Sequence, residues 1–172
     1  MNFDLTESGL SVPASPGILE TIKMRGDVNF KLYDANGDLS LERDDRNLVV
    51  TAGLGHITSR LIGAASAVMG WMEVGTDATA AATAQTALVA VVAASRTALT
   101  GSAGTQVTTT LTNDTVQFVC TFGAGVGTGA LVEAGVFNQV TSGGTMACRT
   151  VFSVINKGAL DSLTVTWKVK FA

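Results

Sequence analysis

The sequence predicts a mainly β protein: an antiparallel β-sandwich of jelly-roll type with one short α-helix and an extended N-terminal arm. Three observations carry this expectation. Short segments rich in Val, Thr and aromatic residues follow one another from Val89 onward at intervals of roughly ten to fifteen residues, with Gly, Asn, Asp or Ser between them. The closing segment alternates strictly, so that Leu163, Val165, Trp167, Val169 and Phe171 share one face, as in a strand with one side in a core. Between two further alternating runs stands Asn36-Gly37, a pair suited to a tight hairpin.

Taken in order, residues 1–17 mix Ser, Thr, Gly and both prolines without a clean period and read as an arm outside a single domain spanning residues 18–172. In an assembly such an arm orders on contact with a neighbour, and Met1, Asn2, Phe3, Leu5, Leu10, Pro13 and Pro16 are its expected contact residues. From Ile18 the chain reads as a hairpin. Val28, Phe30 and Leu32 alternate with Asn29, Lys31 and Tyr33, a primed turn is expected at Asn36-Gly37, and a strand returns through Leu39 and Leu41. The period then changes: Leu54, Ile57 and Leu61 recur at steps of three and four, which predicts a short helix packed on the sheet with Thr51 as its N-cap. Trp71–Gly75 reads as a strand, and the small residues from Gly75 to Leu88 as a long ordered surface loop. Six strand-like segments complete the chain: Val89–Leu99, Thr105–Asp114, Asp114–Gly123, Ala130–Gln139, Thr145–Val154 and Asp161–Phe171.

The 172 residues are 47% hydrophobic and only 15% charged, so the chain is poor in the groups that normally cover a monomer, and part of its apolar surface is expected to face other subunits. The net charge is −3 with Lys and Arg scattered, leaving no basic stripe for a phosphate backbone, and nucleic acid is not an expected partner. Thr and Gln interrupt the Ala-rich run before Arg96 and no basic cluster flanks it, so a membrane span is not expected either. The start, MNFDLTESGL, lacks the basic and apolar regions of a secretory signal, which favours synthesis and retention in a cytosol. Cys120 and Cys148 lie in strand-like apolar contexts and read as buried free thiols.

Few residues suggest chemistry. His56 is the sole histidine, so any triad would need it, and one His with two separated Cys falls short of a zinc site. Asp34, Asn36, Asp38 and Ser40 alternate like the first ligands of a calcium loop. Leu39 stands where such a loop needs Gly and Asp45 where it needs Glu, and a turn explains the segment. Glu42, Asp44 and Asp45 interleave with Arg43 and Arg46 as in a charge-guarded hairpin edge. Arg25-Gly26-Asp27 falls within a strand, and the Gly-dense stretch Gly123–Gly129 lacks the Lys-Ser/Thr ending of a phosphate loop. Trp71, with that glycine loop, is the candidate ligand contact for a glycan. Glu73 and Glu133 are the apolar-embedded carboxylates a glycoside hydrolase would have to use; Glu133 is either exposed or paired with Arg149 on the next strand. The reading is non-enzymatic, without cofactor.

The order of segments Asn47–Leu61, Trp71–Leu88 and Leu131–Ala172, and most specifically Glu133-Ala134-Gly135-Val136-Phe137 and the strand Asp161–Phe171, resembles small virion structural proteins of tailed bacteriophages, described as capsid decoration or tail-fibre-like proteins. The resemblance runs from Met24 to Ala172 and leaves the N-terminal arm uncovered. It implies a β-sandwich that carries no catalytic residues and assembles on the virion, in the host cytoplasm, as a homotrimer or other small ring. A decoration or cement protein would bind the major capsid protein and neighbouring copies. A tail-fibre or baseplate component would bind host-surface glycan or protein.

Overall fold

A computed structural model describes residues 24–64, 66–141 and 143–171. The fold class is the expected one: mainly β, antiparallel, with one helix among the described residues. The elements are β1 (Met24–Tyr33), β2 (Leu39–Val49), α1 (Thr51–Leu61), β3 (Trp71–Gly75), β4 (Thr97–Ala98), β5 (Thr105–Val107), β6 (Thr115–Phe122), β7 (Gly129–Phe137), β8 (Met146–Lys157) and β9 (Ser162–Phe171). They form one sheet in the order β4-β3-β7-β8-β2-β1-β9-β6-β5.

The two layers of the sandwich are halves of this one curled sheet, and β2 is the corner. Up to Asn47 it pairs with β1; its end then turns, with Leu48 opposite Arg149 and Val49 opposite Cys148 of β8. The far ends of the sheet meet as well. Thr100 N donates to Val119 O at 2.8 Å, and Cys120 Sγ of β6 lies 3.7 Å from Ala98 O of β4.

Alternation fills the space between the layers. Val28, Phe30 and Leu32 of β1, Phe118, Cys120 and Phe122 of β6, and Leu163, Val165, Trp167 and Val169 of β9 face Met72, Val74, Leu131, Val136, Phe152 and Ile155 from the other half. Trp167, Phe30 and Phe122 are fully buried, so the expected inward face of the last strand is the centre of the core.

Several local expectations are corrected. The hairpin does not turn in two residues. Asp34 Oδ1 accepts the N–H groups of Asn36 and Asp38, which holds a five-residue loop in which Gly37 alone has a positive φ, and the register shifts at Leu32/Tyr33. Thr51 is the first helical residue; the cap is Val50 in extended backbone, with no side-chain cap bond. The helix sits close to β8 because Gly53 lies against the Ala147 carbonyl, where a Cβ would come within 2.2 Å of the oxygen. Its Leu54 and Leu61 do not pack on the sheet but are exposed. Val89–Leu99 is a strand only at β4, with Val91 bridging Gly75, and Thr105–Asp114 only at β5. In the first, Val89 N and Ala90 N donate to Glu133 of β7 instead of a ladder; in the second, the N–H groups of Thr109, Thr110 and Leu111 donate to the Asp114 carboxylate just before β6.

Candidate functional site

The outer face of the β3-β7-β8 layer collects the charges that the sequence analysis singled out. Gly75 opposes Glu133, Glu73 opposes Gly135, and Gly135 opposes Arg149, so Glu73, Glu133 and Arg149 share one face. Glu133 Oε2 accepts from Arg149 Nη2 at 2.8 Å and Nε at 3.0 Å, and both side chains are completely buried. The remaining capacity is used on the loop between β3 and β4. Ala90 N donates to Glu133 Oε1 at 2.8 Å and Val89 N to Oε2 at 3.1 Å, while Arg149 Nη1 donates to Thr79 O and Gln85 Oε1, each at 2.9 Å. At the other end of the loop Arg96 donates to Glu73 at 2.7 Å and stacks 3.6 Å above the Phe137 ring. Leu88 completes the clamp by packing with Phe137, Met146 and Val50 in a second small core.

This arrangement fastens a loop. Glycoside hydrolysis needs a carboxyl that keeps a proton and a second carboxylate across a groove. Glu73 and Glu133 are diagonal neighbours on one strand pair, each satisfied by an arginine, beneath the loop.

The other candidates are dispersed. The Asp34 carboxylate is occupied by its turn, and those N–H bonds hold it below its ordinary value of 3.8. Among the described residues no three His, Cys, Asp or Glu are placed to share a metal ion. Trp71 is half-buried beside Phe137 in the second core, at one end of β7; the glycine loop leaves from the other end, about 26 Å away along the strand, so the two do not form one ligand platform. Arg25 and Asp27 pair with each other at 2.9 Å on the surface. On β2, Arg43 points inward where β2 and β8 diverge, over the rings of Phe30 and Phe152, and donates to Ser153 O; Asp45 lies beside it at 3.2 Å. β2 is not the solvated hairpin edge expected from sequence: it lies between β1 and β8, with Arg43 and Asp45 turned inward and Glu42, Asp44 and Arg46 exposed. The contact residues assigned to the arm, Met1 to Pro16, lie outside the described residues.

One feature was missed from sequence. An apolar cavity of about 270 Å³ opens between α1 and one end of the sandwich, walled by Val49, Ile57, Met69, Phe118, Val169 and Phe171. His56 and Arg60 stand on its helix side, and Cys148 reaches it from β8. Burial, with a smaller contribution from Arg60, lowers the His56 imidazole below its ordinary 6.5, which favours the neutral ring. Burial pushes the Cys148 thiol up to about 12, against a weaker pull from Asn47, which leaves it protonated and not a nucleophile. Beside the cavity Leu61 and Ile62 are more than four-fifths exposed, and Leu54 and Val68 are also exposed. The helical stripe was the available signal, but it does not say which way an apolar stripe will face when the helix sits at the rim of a sandwich. No protein-family model, curated protein or solved structure matches this chain.

Proposed function

We propose that this chain is a non-enzymatic structural protein of a bacteriophage virion, and specifically a decoration or cement protein that binds the shell and neighbouring copies of itself. The observation that carries the reading is the apolar end of the molecule. Val68 is exposed in the wall of an apolar cavity, Leu54, Leu61 and Ile62 are exposed on or just after the helix that forms another wall of it, and Leu111 and Val140 are exposed on connections at the same end of the strands. Six of the eleven large hydrophobic side chains exposed among the described residues lie at this end, and exposed side chains of this size brought together mark a surface that is covered in an assembly. The most deeply buried charged pairs support the same reading, because they serve as clamps for a loop. A subunit repeated over a lattice attaches strongly through modest interfaces, because many copies bind together. The resemblance noted above supplies the phage setting, with the host cytoplasm as the place of assembly and a small homo-oligomer and the major capsid protein as partners.

The test is to place the protein on intact particles with gold-labelled antibody or by cryo-EM. Label over the head is expected, and deletion of Met1–Gly17 should then lower occupancy on purified particles. Label confined to the tail tip or fibres would overturn decoration in favour of an adhesin, and absence from particles would overturn both.

A further inference from the structure

We propose that the apolar cavity beside α1 is the docking site for the chain's own segment Ile18–Ile22, which fills it in the same molecule. The inference goes beyond the virion reading and does not depend on it. The described chain begins at the cavity: Met24 is paired with Phe171, and Phe171 is part of the cavity wall. Cross-strand partners point to one face, so Met24 and Phe171 both face inward at this end, as do Val28, Phe30 and Leu32 further along β1. Ile22 stands two residues before Met24, and two residues of extended chain span about 7 Å. The preceding residues are Gly17-Ile18-Leu19-Glu20-Thr21, so three large apolar side chains stand within six residues of the cavity rim.

Chemistry matches at the rim as well as in the wall. The wall is aliphatic and aromatic, of the kind that gains from taking up Ile and Leu and offers little to a polar ligand. Arg60, on the helix side, donates to the backbone oxygen of Ser66 and has no carboxylate partner among the described residues. Glu20 lies within the apolar run and is the acidic residue able to meet it when Leu19 and Ile22 are seated. The occupant is the same chain because the tether is only a few residues long, which gives the segment a large local concentration that a second copy lacks.

Two measurements test the proposal on the full-length protein. In the first, L19D/I22D and a deletion of residues 1–17 are compared with the parent. The double substitution is expected to lower the melting temperature by on the order of 10 °C and to raise the fluorescence of a hydrophobic dye, because the cavity is left uncovered. The deletion, which keeps Ile18–Ile22, is expected to change neither. An unchanged melting temperature and dye signal in L19D/I22D would overturn the proposal. In the second, L19C/V68C is oxidised. Val68 lines the cavity and is half exposed, so the substitution leaves the core intact. A disulfide within one chain is expected on a non-reducing gel. A disulfide-linked dimer would assign the cavity to a neighbour's segment, and no disulfide would leave the cavity without this occupant; either result refutes docking in the same molecule.

Discussion

Replacing Glu133 with Ala should be among the most destabilising single changes outside the apolar core. Glu133 and Arg149 are both fully buried, and the carboxylate takes two bonds from the guanidinium and two from the backbone of the β3–β4 loop. Alanine leaves a buried cation without its counter-charge, for which removal of one partner typically costs about 3–5 kcal/mol. It also strips the acceptor from Val89 N and Ala90 N, although the loop can open to let water reach them. In a protein of this size about 4 kcal/mol corresponds to a fall in melting temperature of roughly 8–16 °C. The assay is thermal and urea denaturation of E133A, and of E133L, R149M and E133L/R149M as a double-mutant cycle, together with limited proteolysis of the loop. E133A should be the least stable and cleaved within the loop, and the double variant should recover most of the loss, because a buried pair replaced by apolar side chains of similar volume is often near neutral. A neutral E133A, or a double variant no better than the sum of the singles, would refute the clamp.

Three further outcomes follow from the same structure. Gly53→Val should destabilise by about 1–3 kcal/mol, because its side chain meets the Ala147 carbonyl, whereas Gly55→Ala, with open space around it, should be neutral or stabilising; equal effects at the two positions in urea denaturation would contradict the close helix–β8 approach. Asp114 is desolvated, which pushes its carboxyl up, but the N–H groups of Leu111, Thr109 and Thr110 and the Thr109 hydroxyl outweigh this and hold it well below 3.8. The stabilisation is therefore complete above the ordinary carboxylate range and is lost as pH falls through the lower folded-state value. D114N should melt below the parent at pH 7, with the gap closing below about pH 4, and a gap independent of pH would refute the assignment. Finally, burial raises the thiols of Cys120 and Cys148 to about 12, so a thiol reagent at pH 8 should label neither in the folded protein and both in denaturant; rapid labelling of the folded protein would refute their burial.

The fold was legible wherever one face of a segment is buried and the other is not. β1 and β9 announce themselves because Val28, Phe30 and Leu32, and Leu163 to Val169, alternate with polar residues, and the buried thiols follow from the same pattern. The candidate site was legible only in fragments. Glu133 and Arg149 stood out as charges in apolar segments, and pairing between them was one of two open readings, but nothing local shows that the pair also holds Thr79, Gln85, Val89 and Ala90.

By itself, the sequence determined the class of the protein: alternating strands, a short helix, and too few reactive side chains in a useful pattern. Only the tertiary structure decided that the sheet folds over at β2, that residues 76–96 become a clamped cover, and that α1 turns Leu54 and Leu61 outward beside a cavity. The physical reason is one of range. Side-chain alternation records which face of a strand is buried, a local property written residue by residue. Charge partners, loop anchors and the exposed side of a helix depend on the register between strands far apart in the chain, and that register exists only once the layers have closed.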